Sequence, residues 1–129
     1  MRHPATALSR VTLAFCALLL LLPARASADA APDPDEAVDQ ITQLNRDAIT
    51  AYQAKKFAEA IPGFDETIAK SAVQGDVLAE TYLKRAVCRT ETGDLAGAEA
   101  DLAMAERGGA VGDDYETAQK RLNAKKSGR

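Results

Sequence analysis

Six pairs of residues in this chain recur at one fixed interval of 38: Leu44 and Tyr82, Ala48 and Ala86, Phe57 and Leu95, Ala60 and Ala98, Phe64 and Leu102, Thr67 and Ala105. A register held over six positions marks an internal repeat, and a repeat of this length must be one supersecondary unit that buries its apolar face against a neighbouring copy. The period within each unit identifies the element. Val38, Ile41, Leu44, Ala48, Ala51 and Tyr52 recur at spacings of three or four, the signature of one face of an α-helix. The same spacing carries Phe57, Ala60, Ile61, Phe64 and Ile68, then Leu78, Tyr82, Leu83, Ala86 and Val87, then Leu95, Ala98, Leu102 and Ala105, and finally Tyr115, Ala118 and Leu122. Five helices are therefore expected, over about Asp35–Ala54, Phe57–Ser71, Val77–Thr92, Leu95–Arg107 and Asp113–Lys125. No segment shows the strict alternation of a strand, so the fold class is all-α.

Local signals agree with these boundaries. Asp33-Pro34-Asp35-Glu36 reads as a helix start, with Asp33 as cap, Pro34 at the first position and Glu36 completing a capping box. Asp76 after Gln74-Gly75 and the Asp113/Glu116 pair are further cap candidates, and Gly93-Asp94 reads as a stop followed by a cap. Pro62 lies inside the second segment and removes one backbone donor. That segment is expected to bend near its first turn or to start later.

Ahead of the repeat the chain has a different character. Met1-Arg2-His3 and Arg10 form a basic head, Val11–Leu22 is almost wholly apolar, Pro23 breaks the run, and Ala26-Ser27-Ala28 follows. Basic, apolar and small in that order is a secretory signal peptide. The apolar run is about 12 residues, short of the roughly 20 that span a bilayer. The expected organisation is a signal peptide over 1–28 cleaved after Ala28, a short linker over 29–36, a repeat domain over 37–126 and a disordered tail over 127–129. The product would be periplasmic or secreted, with no stable membrane insertion after cleavage.

Removal of residues 1–28 leaves 101 residues carrying 13 basic and 19 acidic side chains, a net charge of −6. An acidic chain without a basic stripe is a poor match for nucleic acid or an anionic membrane surface. His3 is the one histidine, and Cys88 becomes the one cysteine. Without histidine the commonest general base and metal ligand are missing, and one thiol makes neither a disulfide nor a zinc site. Cys88 among Ala86 and Val87 reads as a buried, inert thiol. Gly108-Gly109-Ala110-Val111-Gly112 lacks the spacing of a phosphate loop. The acid pairs Asp113-Asp114, Asp65-Glu66 and Asp33/Asp35/Glu36 read as caps or solvated charges. Lys84, Arg85 and Arg89 form a basic patch expected to pair with neighbours such as Glu80 and Glu91. Nothing here calls for an enzyme, a cofactor or a metal.

Lys56-Phe57-Ala58-Glu59-Ala60-Ile61-Pro62-Gly63-Phe64 and Gly93-Asp94-Leu95-Ala96-Gly97-Ala98-Glu99-Ala100-Asp101-Leu102 resemble the turn and second helix of a tetratricopeptide repeat, a helix-turn-helix unit of about 34 residues. The resemblance covers about Val38–Ala124, with four extra residues near Ser71–Val77. Thr67 stands where that family usually has Ala. It implies a small exported bacterial protein with two tandem helical hairpins and a C-terminal capping helix, a short α-solenoid. It also implies a function: holding a peptide or helix of a partner protein in the concave face. By register that face would carry Thr42, Asn45, Ile49 and Gln53 from the first repeat, and Glu80, Leu83, Lys84 and Val87 from the second. The co-chaperone subgroup grips a C-terminal carboxylate with Lys and Asn, where this chain has Asn45 and Ile49. The reading is a protein-binding scaffold or adaptor of the bacterial envelope. The alternative is a self-associating unit, such as a homodimer, that completes its short array by oligomerising.

Overall fold

The computed structural model describes residues 33–70 and 73–128. The expected signal peptide, and all of the expected linker before Asp33, lie outside the described residues. Within them the chain forms five α-helices: α1 (Pro34–Gln53), α2 (Phe57–Ala69), α3 (Gly75–Thr92), α4 (Leu95–Arg107) and α5 (Asp113–Ser127). The all-α class stands. Consecutive helices pack on one another, α1 on α2, α2 on α3 and α3 on α4, and α5 closes against both α3 and α4.

The 38-residue register is visible in the burial. Ala48 and Ala86, Ala60 and Ala98, Phe64 and Leu102, and Thr67 and Ala105 are all buried. Phe57, Leu95 and Tyr82 are half-buried and pack against the core, and Leu44 is exposed. Two apolar clusters result. Ala48, Ala60, Phe64 and Cys88 tie α1 and α2 to α3. Leu83, Ala86, Val87, Ala98, Leu102, Ala105, Ala118 and Leu122 tie α3 to α4 and α5. Complete burial of Phe64 alone contributes roughly 1.5–3 kcal/mol.

The turns repeat as well. Lys56 N–H donates to the Ala51 carbonyl and Asp94 N–H to the Arg89 carbonyl, each at 2.9 Å. These are equivalent six-to-one bonds that close a helix over a left-handed residue. That residue is Gly93 (φ 95°) in the second turn and Lys55 (φ 60°) in the first. Only glycine enters this region without a Cβ clash. Small residues also allow the helices to cross closely. A Cβ on Gly63 would lie 2.7 Å from the Ala48 Cβ and 3.0 Å from the Leu44 carbonyl oxygen.

Several local expectations are corrected. Asp33 caps α1 through Asp35 N–H at 3.4 Å, while Glu36 accepts from the Gln40 amide, so no reciprocal capping box forms. The cap of α5 is Gly112, not Asp113, and Glu116 points toward Lys120. The cap of α3 is Gln74, with Asp76 inside the first turn. Asp94 does cap α4, accepting from Gly97 N–H at 3.0 Å. α2 begins at Phe57 and continues through Pro62, so the later start is overturned. Pro62 faces solvent, where water can satisfy the Ala58 carbonyl that the ring deprives of its donor. α5 extends past the expected Lys125 through Ser127, whose hydroxyl donates to the Asn123 carbonyl at 2.8 Å. Thr67 is fully buried and its hydroxyl donates to the Gly63 carbonyl at 2.8 Å, which removes the cost of a polar group in that place.

Candidate functional site

α3 presents Glu80, Leu83, Lys84 and Val87 at helical spacing on one side. α5 lies across that side, because Ala118 and Leu122 bury themselves in the α3–α4 cluster. The same packing brings Asp114, Thr117 and Arg121, on the turns around Ala118 and Leu122, opposite α3. Tyr52, at the C-terminal end of α1, closes the third wall. The result is a cleft of about 370 Å³ lined by these residues and by Ala118. A second cleft of about 220 Å³ shares Glu80, Leu83 and Asp114, and adds Asp76, Ala79, Gly109, Ala110 and Val111.

Leu83 and Val87 are nearly buried and form an apolar floor. Lys84 pairs with Glu80 along α3, and Arg121 lies 3.7 Å from Glu91. The Tyr52 ring meets Phe57 edge-on at 6.1 Å. Burial first, then the neighbouring Cys88 and Asp114, push the Tyr52 phenol above its ordinary range against the pull of Arg121. The hydroxyl therefore stays a neutral hydrogen-bonding group at the cleft wall. Burial likewise pushes the Cys88 thiol up to about 12, which keeps it a protonated packing group of the Ala48/Phe64 cluster.

The expected binding residues divide by helix. The four from α3 all line the cleft. The four from α1 are not among its walls. Thr42 is exposed and its hydroxyl donates to the Val38 carbonyl at 2.8 Å. Gln53 is exposed, and Ile49 packs partly buried against the Ala48/Phe64 cluster. Asn45 is half-buried, with an Oδ1 atom that has no hydrogen-bond partner among the described residues. The contribution of α1 is Tyr52, the residue before Gln53. Its place in the apolar periodicity reads as core, and a tyrosine in such a stripe was the available signal. The contribution of α5 is also unforeseen, because a solvating helix is not expected to form a wall.

The expected basic patch is split. Lys84 does pair with Glu80, but Arg85 and Arg89 turn to the opposite side. Arg85 holds Asp101 with two hydrogen bonds, of 2.9 and 2.6 Å, and Asp65 with one of 2.6 Å. Arg89 donates to Asp101 at 2.9 Å and lies 3.5 Å from Asp94. Asp101 is only 2% exposed. Burial works to lower the Arg85 pKa, and the two carboxylates outweigh it and raise it further. Arg85 also covers the Tyr82 ring at 5.4 Å. Asp65 and Asp94 are thus partners in a network joining α2, α3 and α4. The partners of Glu91 are instead Arg121 and Lys125 of α5. This network is structural and leaves the cleft as the candidate site.

Among the described residues, no three His, Cys, Asp or Glu side chains gather as a metal site, and no helix is long and apolar enough to cross a membrane. No family model, no characterised protein and no solved structure matches this chain.

Proposed function

We propose that the protein is a non-enzymatic scaffold or adaptor of the bacterial cell envelope, which holds a peptide or helix of a partner protein in the cleft between α1, α3 and α5. The observation that carries this reading is the cleft itself: an apolar floor of Leu83 and Val87 rimmed by polar groups from three different helices. Concave sites with an apolar base and a few converging polar groups are where binding concentrates. The helical repeat supports a tetratricopeptide-type arrangement, in which α1, α3 and α5 would be the helices facing the groove. The basic-apolar-small order of residues 1–28 supports export, which places the partner in the envelope.

The test is to fill the cleft. Thr117 is exposed on α5 and lines the cleft, so Thr117→Trp adds bulk there without touching the core. Wild-type protein secreted with its own N-terminus should retain a specific envelope protein, and T117W should bind that protein at least about tenfold more weakly. Equal retention by the two would remove the cleft from consideration.

Self-association is the second reading, and α1 favours it. That helix packs chiefly on α2 and leaves Val38 60% exposed at the open end of the array. Light scattering over a concentration series separates the two. A stable dimer that retains no partner would replace the adaptor reading.

A further inference from the structure

The two clefts share Glu80, Leu83 and Asp114, so they form one groove running along α3 from Val111 to Arg121. Its charges are not balanced along its length. At the Arg121 end both cations are committed, Lys84 to Glu80 and Arg121 to Glu91. At the Val111 end stand Asp76 and Asp114, and neither makes an ion pair or a side-chain hydrogen bond among the described residues.

Both lie in the first turn of a helix, where acids oppose the macrodipole. The magnitude decides whether that accounts for them. Two helix starts supply about half a positive charge each, against the two carboxylates Asp76 and Asp114 that line the groove. A surplus of about one negative charge remains at this end of the groove. Beside it Val111 is 82% exposed, Ala110 is half-buried, and Ala79 and Leu83 form a nearly buried apolar floor. An apolar side chain held against water next to unpaired carboxylates matches one type of group: a long aliphatic stem with a cationic head.

We infer that this end of the groove takes a lysine or arginine side chain from a cationic, partly apolar peptide segment of the partner. The inference rests on the partner-binding reading above and specifies its chemistry. The stem lies over Val111, the head reaches Asp76 and Asp114, and an adjoining aliphatic residue covers Leu83. The net charge of −6 beyond residue 28 adds long-range attraction for such a segment.

The experiment is selection from a random displayed-peptide library on the protein secreted with its own N-terminus and immobilised by a C-terminal tag. The selected sequences should carry Lys or Arg beside an aliphatic residue. The tightest of them, resynthesised with a fluorophore, should bind D76N/D114N at least about tenfold more weakly and lose several-fold in affinity between about 50 and about 300 mM salt. Asp114→Asn alone should keep a several-fold part of that loss, and Asp113→Asn is its matched control. It removes the same charge from the same helix start, yet Asp113 lines neither cleft, so it should weaken binding less than about twofold. Uncharged or acidic peptides that T117W also rejects would overturn the cationic specificity while leaving the cleft in place. Equal losses in D113N and D114N would show general attraction to an acidic protein, and would overturn the site. Absence of any enriched peptide would count against the cleft reading and this inference together.

Discussion

Replacing Asp101 with alanine should be among the most destabilising single changes in this protein. Asp101 is 2% exposed and anchors two guanidinium groups from α3. Its loss leaves Arg85, whose side chain is only 12% exposed, dependent on Asp65. Removing one partner of a buried ion pair costs about 3–5 kcal/mol, because the other charge stays in the interior uncompensated. Two features pull the figure to the lower end. Asp65 still holds Arg85 at 2.6 Å, and the Arg89 side chain, at 21% exposed, can regain water. The expected loss is therefore about 3 kcal/mol. A domain of this size has roughly 5–15 kcal/mol in total, so the melting temperature should fall by roughly 12–24 °C. Urea unfolding followed by helical circular dichroism gives the number directly, provided the slope with denaturant is unchanged. Arg85→Ala should be similarly costly, and R85A/D101A should fall short of the sum by at least about 1 kcal/mol. A loss below about 1 kcal/mol in D101A would refute the reasoning, since that is the behaviour of a solvent-screened surface pair.

Three further outcomes follow from the same structure. Burial pushes the Cys88 thiol up to about 12 from 9.0, so its contribution to stability should be fully present below about pH 9 and lost as pH rises toward 12. Stability should decline across that window, Cys88→Ala should flatten the decline, and rapid labelling of the folded thiol at pH about 8 would contradict the burial. Gly63→Ala drives a Cβ to 2.7 Å from Ala48 and should cost about 1–2 kcal/mol in thermal unfolding, even though alanine is the better helix former by about 1 kcal/mol. Lys55→Gly should act in the opposite sense and stabilise by about 0.5–1 kcal/mol, because Lys55 occupies the left-handed position that Gly93 fills in the second hairpin. A destabilised K55G would show that the Lys55 side chain contributes more than its backbone strain costs.

The periodic part of the chain was legible because helix and repeat are local facts. Ala60 and Ala98, or Phe64 and Leu102, state their helix, their face and their register by spacing alone, and they are buried in both copies. Caps were less legible. Asp113 and Glu116 have the spacing of a capping box, but the backbone enters α5 through Gly112 at φ 97°, which moves Asp113 inside the helix. The α3 stripe of Glu80, Leu83, Lys84 and Val87 was legible as one face, since it follows from the helical period, and it lines the cleft. The α1 wall was not legible: Tyr52 lines the cleft and its neighbour Gln53 does not, because which face of α1 meets the cleft depends on how α1 crosses its neighbours.

The sequence by itself determined that the described residues are helical and carry an internal repeat, because a period near 3.6 and an interval of 38 are properties of one dimension. Tertiary structure decided which charges meet. Asp65, Arg85 and Asp101 are up to 36 positions apart and no spacing rule joins them, yet three packed helices bring them within hydrogen-bond reach and leave Asp76 and Asp114 without ion-pair partners among the described residues. It also decided that α5 is a wall and not only a cap. Burying Ala118 and Leu122 fixes the helix against α3, and that packing alone turns Asp114, Thr117 and Arg121 toward the cleft.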